Sequence, residues 1–308
     1  MTNLEGQTFA GFEIISKLGQ GGMGAVYKAR QPMLDRLVAL KIISPTVAHD
    51  PTYVARFQRE ANAAAQMNHP NIVQLYTAGE NEGVRYMACE FIEGESLQGK
   101  LDRRGRLDPR EALAVCVFVC EALKYAWQAV KLIHRDIKPD NIFLSKAGEV
   151  KVGDFGLAKR VDSDASGLTR TGTTMGSPHY MSPEQALGER DLDFRSDIYS
   201  LGCTLYHMLT GSVPYNSKNV VEVVTQHVYA PPPDLAAAMP GCPPPLARLI
   251  GMMLAKKRDE RHASYDELIA DLLEVREQIR APMHSIASAP AVVARPLTPR
   301  VVKPPPPS

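Results

Sequence analysis

Three glycines at a fixed spacing open the chemistry of this chain: Gly19-x-Gly21-x-x-Gly24-x-Val26, inside KLGQGGMGAVYKA. Glycine lets a backbone turn tightly and brings its N–H groups close to a polyphosphate. A dinucleotide fingerprint would need a helix directly after the glycines. Here AVYKAR follows, which reads as strand, so the expectation is a flap between two strands lying over phosphates. Next comes Val38-Ala39-Leu40-Lys41, with Ile42 and Ile43 behind it. A lysine inside a buried strand needs a counter-charge, and Glu60, on the helical stretch that follows, is the expected partner. Farther on stands the densest polar string of the chain, His134-Arg135-Asp136-Ile137-Lys138-Pro139-Asp140-Asn141, and after it Asp154-Phe155-Gly156.

Taken together, the glycine flap, the Lys41 strand, the eight-residue string and the Asp-Phe-Gly triplet resemble the eukaryotic-type protein kinase family. Within it they look most like the bacterial serine/threonine kinases of the PknB type. The resemblance runs over residues 12–278. It implies a serine/threonine protein kinase that moves the γ-phosphate of ATP to Ser or Thr hydroxyls of protein substrates, with Mg²⁺ as the metal and Mn²⁺ as an alternative. On that resemblance Asp136 receives or orients the substrate hydroxyl proton, and Lys138 steadies the γ-phosphate. Asn141 and Asp154 hold the metal, while Lys41 grips the α- and β-phosphates and pairs with Glu60. His134 is implied to be structural, packing beneath Phe155.

The adenine site follows by the same match. Tyr86–Ile92 resembles the hinge strand, with Glu90 and Ile92 offering backbone groups to adenine. Val26, Ala39 and Phe143 would sandwich the ring, and Leu18 would sit at the rim beside Gly19, Gly21 and Gly24. Cys89 falls at the gatekeeper position. Met181-Ser182-Pro183-Glu184 resembles the family's Ala-Pro-Glu motif with serine in place of alanine, so Glu184 is expected to pair with Arg261. Asp197 is expected to bond the catalytic-loop backbone. Ser177 stands where the family usually has threonine. Arg135 implies a phosphorylated activation loop, and Thr169 and Thr171 are the expected autophosphorylation sites. Homodimerisation through the small lobe is a further implication.

These residues need elements to position them. Residues 12–45 alternate like strands around the glycine cluster. Residues 51–67 are alanine-rich and helix-like, and Ile72–Thr77 and Val84–Ile92 read as strands. Then helices take over: 109–130, with Asp108 as cap and Pro109 in the first turn, then 195–210, 218–228, 245–257 and 264–280. Strand-rich first and helix-rich second, with the chemistry between, predicts an α+β bilobal fold with the nucleotide cleft between the lobes. The small lobe is expected over 12–92 and the large lobe over 93–278. Residues 1–11 read as an N-terminal extension, and 279–308 as a flexible proline-rich tail holding Pro282, Pro290, Pro296, Pro299 and Pro304 to Pro307.

Composition narrows the alternatives. Lys plus Arg number 35 against 34 Asp plus Glu, which argues against a bulk nucleic-acid binder or a polybasic membrane-surface protein. A hydrophobic share of 44% rules out a wholly disordered chain. Five cysteines without a Cys-x-x-Cys pair predict reduced thiols and a cytoplasmic, reducing setting, without a zinc site. The most apolar run, Ala112 to Cys120, is stopped by Glu121, short of the ~20 residues a bilayer helix needs. No membrane segment is therefore expected in this chain, and tethering would require a longer parent.

Overall fold

The computed structural model describes residues 4–21, 24–43, 57, 61–62, 64–155 and 178–280. Glu60, Gly156, Thr169, Thr171, Ser177 and residues 281–308 of the proline-rich tail lie outside the described residues; 279–280 belong to the last helix.

The first lobe is a six-stranded antiparallel sheet in the order β1-β2-β3-β4-β6-β5. Its strands are β1 (Thr8–Phe9), β2 (Phe12–Gly21), β3 (Gly24–Gln31), β4 (Arg36–Ile43), β5 (Leu75–Asn81) and β6 (Val84–Glu90). The two-residue period sorts the side chains of the central strands into two faces. One face carries Ala25, Tyr27 and Ala29 of β3 and Val38, Leu40 and Ile42 of β4, all buried with Phe12 and Ile14. The opposite parity puts Val26, Ala39 and Lys41 together on the other face, where they are only partly buried. Residues 57, 61–62 and 64–65 are helical. Phe57 and Ala61 pack with Ile43, Leu75 and Met87 in a second small core.

Two expectations shift here. The stretch read as an extension contributes β1, paired to β2 through Thr8 with Glu13 and Phe9 with Phe12. The strand expected at 72–77 starts instead at Leu75, because Ile72 turns away to bridge Val152 in the other lobe.

The second lobe begins with β7 (Gly94–Ser96), which pairs with β8 (Ile142–Ser145), itself paired to β9 (Val150–Val152). Around this small sheet are α1 (Leu97–Arg104), α2 (Pro109–Val130), α3 (Pro183–Ala186), α4 (Arg195–Thr210), α5 (Val220–Tyr229), α6 (Leu235–Ala238), α7 (Pro244–Met253) and α8 (Tyr265–Arg280). Helix α2 starts as its residues dictate: Asp108 accepts from the Arg110 N–H and Pro109 fills the first turn. The helix is far longer than its most apolar run, and its length and mean hydropathy alone would suit a bilayer. It is instead a core helix. Leu113, Cys116, Val119, Cys120 and Leu123 are buried, and the helix packs on α4, α8 and β9. Helix α7 ends at Met253, earlier than its apolar pattern suggests. The chain beyond it turns Lys256 and Arg261 onto internal carbonyls.

Candidate active site

The polar string of residues 134–141 becomes a loop between α2 and β8, pinned from below. Asp197, wholly buried in the first turn of α4, accepts from the His134 N–H through Oδ2 and from the Arg135 N–H through Oδ1, both at 2.8 Å. Burial raises the Asp197 pKa, and these donors and the neighbouring His134 and Arg135 only partly offset it. Arg135 adopts a left-handed backbone with φ of 67°. Non-glycine residues take that conformation uncommonly, at turns, helix caps and some functional sites.

Above the loop, three side chains form one cluster. Lys138 Nζ donates to Asp136 Oδ2 at 2.8 Å. Asn141, buried at the end of a 3-10 turn, donates through Nδ2 to the Asp136 carbonyl at 2.8 Å and to its Oδ2 at 3.1 Å. With the amide nitrogen committed in this way, Oδ1 is the free acceptor of the Asn141 amide.

The Asp154 segment is latched to this loop through one glycine. The Gly153 N–H donates to the Asn141 carbonyl at 2.9 Å. The Gly153 carbonyl lies 2.9 Å from His134 Nε2. A Cβ at Gly153 would lie 2.7 Å from the Phe143 ring, so the close approach requires glycine. His134 also meets Phe155 edge to face, with ring centroids 4.7 Å apart. The next residue, Asp154, again has a positive φ, 55°. Its Oδ1 accepts from Lys41 Nζ at 2.9 Å, which joins the two lobes. Desolvation in the cleft pulls the Asp154 carboxyl up. The Lys41 charge and hydrogen bond pull it down further, and the net is a carboxyl held below its ordinary value. The expected Lys41–Glu60 pair lies outside the described residues, and the partner in view is Asp154.

The other described residues expected around the nucleotide lie on the sheet that carries Lys41, just after its strand β6, or on β8 directly after Asn141. Val26 pairs in register with both Gly19 and Lys41, and Ala39 with Cys89. Gly21 and Gly24 face each other where β2 and β3 meet. Gly24 has a φ of 152°, and a Cβ there would fall 2.1 Å from the Ile42 carbonyl oxygen, so packing demands glycine. Leu18 is half exposed at the outer end of β2. Glu90 ends β6, Ile92 follows it, and Phe143 lies on β8. Burial, followed by the Asp154 charge, pushes the Cys89 thiol up to about 12, so it is a packed protonated thiol.

Farther out, Arg261 and Glu184 form a two-pronged buried pair. Nη1 to Oε1 is 2.7 Å and Nη2 to Oε2 is 2.9 Å, with Ser196 Oγ donating to the same carboxylate. Ser182 caps α3: its Oγ accepts from the Gln185 N–H, and Gln185 Oε1 accepts from the Ser182 N–H. That reciprocal arrangement gives the serine a local role. Gln185 then donates through Nε2 to the Arg135 carbonyl at 2.8 Å, a link the sequence reading missed. The Ser-x-x-Gln spacing was the available signal for the cap. Nothing local signals the second half of the link, because Arg135 is distant in the chain.

Comparisons with known proteins agree with this geometry. The family model described as "Protein kinase domain" matches residues 12–290. The chain is 40% identical over 270 residues to the serine/threonine-protein kinase PknB of Mycolicibacterium smegmatis, covering 86% of this chain and 43% of that protein. It is 37% identical over 261 residues to the serine/threonine-protein kinase PrkC of Bacillus subtilis, covering 85% and 40%. The chain thus spans about two fifths of the length of these curated relatives. Among solved structures, the Mycobacterium tuberculosis PknI kinase domain superposes with a TM-score of 0.71 at 30% identity, covering 87% of this chain and 98% of that one. A kinase-domain match over most of the chain, repeated in fold by a solved kinase domain along nearly its whole length, makes the assignment: this chain belongs to the protein kinase family.

Proposed function

We propose that this chain is a serine/threonine protein kinase, transferring the γ-phosphoryl group of ATP to Ser and Thr hydroxyls of proteins. The observation that carries the reading is one connected constellation. Asp136, Lys138 and Asn141 share hydrogen bonds, and Gly153 latches them to Asp154, which holds Lys41 from the opposite lobe.

In this reading the substrate hydroxyl oxygen attacks the γ-phosphorus while the bond from that phosphorus to the β-bridging oxygen breaks and ADP leaves. Asp136 accepts the hydroxyl proton or orients it, and Lys138 meets the charge that builds on the transferring group. Lys41 grips the α- and β-phosphates. The hard oxygen donors of Asn141 and Asp154 suit Mg²⁺, with Mn²⁺ as an alternative. When bound there, the metal would neutralise charge on the phosphate oxygens. A Cβ at Gly19 or Gly21 would meet no atom within 4 Å, so packing does not require glycine at either position. Close approach of phosphates to the backbone N–H groups supplies the reason instead. Val26, Ala39 and Phe143 would enclose adenine, with Leu18 at the rim and the backbone of Glu90 and Ile92 facing its polar edge. Glu60 remains the proposed partner of Lys41 when the nucleotide is engaged.

Autophosphorylation at Thr169 and Thr171 belongs to the same proposal, with Arg135 as the receiving cation. Five free cysteines support a reducing, cytoplasmic setting. Exposed Met33 and Leu34 support self-association through the small lobe. Transfer of labelled γ-phosphate to a generic Ser/Thr protein substrate tests the central reading. Equal incorporation by the wild type and by Asp154→Asn would overturn it. Phosphopeptide mapping against an Asp136→Asn control tests the loop sites.

A further inference from the structure

Helix α5 runs into a proline triplet, Pro231 to Pro233. The last turn of a helix leaves carbonyls without intrahelical donors, and backbone N–H groups just past the end are the common remedy. Prolines have no N–H to give. The Ala230 N–H is already spent on the Gln226 carbonyl at 3.0 Å.

A side chain brings donors instead. Lys256 Nζ, reaching in from the turn after α7, donates to the His227 carbonyl at 2.8 Å and sits 3.4 Å from the Gln226 carbonyl. It also lies 2.9 Å from the Tyr215 hydroxyl and 3.4 Å from that of Tyr199. The Tyr215 O–H donates to the Pro231 carbonyl at 2.9 Å. Burial, reinforced by the Lys256 charge, pushes His227 down to about 3, so its ring is neutral, and its Nδ1 shares a hydrogen bond with the Tyr199 hydroxyl at 2.9 Å. The Tyr215 oxygen, its proton spent on Pro231, accepts from the lysine at 2.9 Å, and the Tyr199 oxygen accepts from it at 3.4 Å. Burial and the Arg261 charge push the Lys256 ammonium down to about 8, which still leaves it cationic at neutral pH. A cation at a helix C-terminus is favourable, as is one 4.6 Å from the centre of the Tyr215 ring.

Helix α5 packs on α3 and on the turn of residues 178–180, and α3 holds the catalytic loop through Gln185 and the Arg135 carbonyl. None of the groups that Lys256 contacts belongs to the Lys41–Asp154 pair or to the glycine flap. We propose that Lys256 is a positioning residue for the protein substrate: it caps α5 and thereby seats the 178–186 platform beside the catalytic loop. This inference rests on the kinase reading above.

The test is steady-state kinetics on the full chain and on Lys256→Met, which keeps most of the stem and removes the donors. Phosphorylation of a protein substrate is measured beside ATP hydrolysis to water. The expected result is a fall in kcat/KM for the protein substrate of about tenfold, equivalent to ~1.4 kcal/mol of transition-state stabilisation. The KM for ATP and the hydrolysis rate should stay within about twofold. Parallel losses in both reactions, or no loss in either, would overturn the proposal. Tyr215→Phe removes one acceptor and the Pro231 bond but keeps the ring. It should show a smaller loss with the same split, and it stands in if Lys256→Met does not fold. An unchanged kcat/KM for the protein substrate in Tyr215→Phe counts against the proposal. Absence of protein phosphorylation by the wild type would instead be a failure of the kinase reading.

Discussion

Lys151 Nζ lies 3.0 Å from Glu90 Oε1 and 3.1 Å from Oε2, tying the last residue of β6 to the middle of β9. The same carboxylate accepts from the Gln74 N–H at 3.2 Å. Glu90 entered as a residue whose backbone would serve adenine, yet its side chain fastens the small-lobe sheet to the large-lobe sheet. Removing the cation leaves a largely shielded carboxylate without its partner. Lys151→Met should therefore lower stability by about 2 kcal/mol, below the ~3–5 kcal/mol typical of breaking a fully buried pair. A urea titration measures it. Unchanged stability would show that water compensates Glu90 fully.

Asp136 and Asp154 should separate in their effects. Asp136→Asn keeps a hydrogen-bonding side chain beside Lys138 but removes the proposed proton acceptor, so phosphate transfer should fall by ~10²–10⁴ while nucleotide affinity changes little. Asp154→Asn removes the charge that holds Lys41 and that, on the proposed reading, would also hold a metal, so nucleotide affinity measured with Mg²⁺ should fall together with transfer. Calorimetric titration with an ATP analogue, run beside the transfer assay, separates the two patterns. Identical behaviour of both variants would contradict the proposed roles.

Glu184→Gln should be among the most damaging substitutions outside the cleft. Glu184 and Arg261 are 3% and 2% exposed, so the glutamine strands a buried guanidinium. The expected cost is about 3–5 kcal/mol, read from denaturant unfolding. Burial pulls the Glu184 carboxyl up, but Arg261 and Ser196 outweigh it and hold it below 4.5. The stability from this pair is therefore present above about pH 4.5 and is lost as acid protonates the native carboxylate at still lower pH. A shift of the unfolding midpoint by less than the error would sink the prediction.

His227 gives the acid limb a second source. Its native value is about 3 against an ordinary 6.5, so between those values the unfolded chain binds the extra proton. Stability is full above about pH 6.5 and declines toward pH 3, by up to several kcal/mol for this buried ring. His227→Gln removes that titration and should flatten the decline, at some loss of stability near neutrality. Parallel pH profiles for wild type and variant would refute it.

Much of the site was legible because its residues come in contiguous strings. Asp136, Lys138 and Asn141 are held together by one short loop, and Asp154 follows two strands later, so sequence order nearly determines their neighbourhood. Alternation along β4 puts Ala39 and Lys41 on one face, but Val26 joins them only through the β3–β4 register. The Asp108 cap and the proline start of α2 were local and came out as expected. Less legible were α1, β7 and α6, which are short and lack a hydrophobic period to announce them.

The chain by itself determined the inventory of chemistry and the local elements that carry it. Tertiary structure alone decided the partners. Lys41 rests on Asp154, Lys151 on Glu90, Gln185 on the Arg135 carbonyl and Lys256 on the end of α5. Each of these joins segments far apart in sequence, and two of them cross between the lobes. Charge and hydrogen-bonding capacity are properties of residue type, so they can be read from sequence. Which donor meets which acceptor depends on how sheets and helices pack, because a hydrogen bond or buried ion pair exists only within about 3 Å and no periodicity encodes that distance.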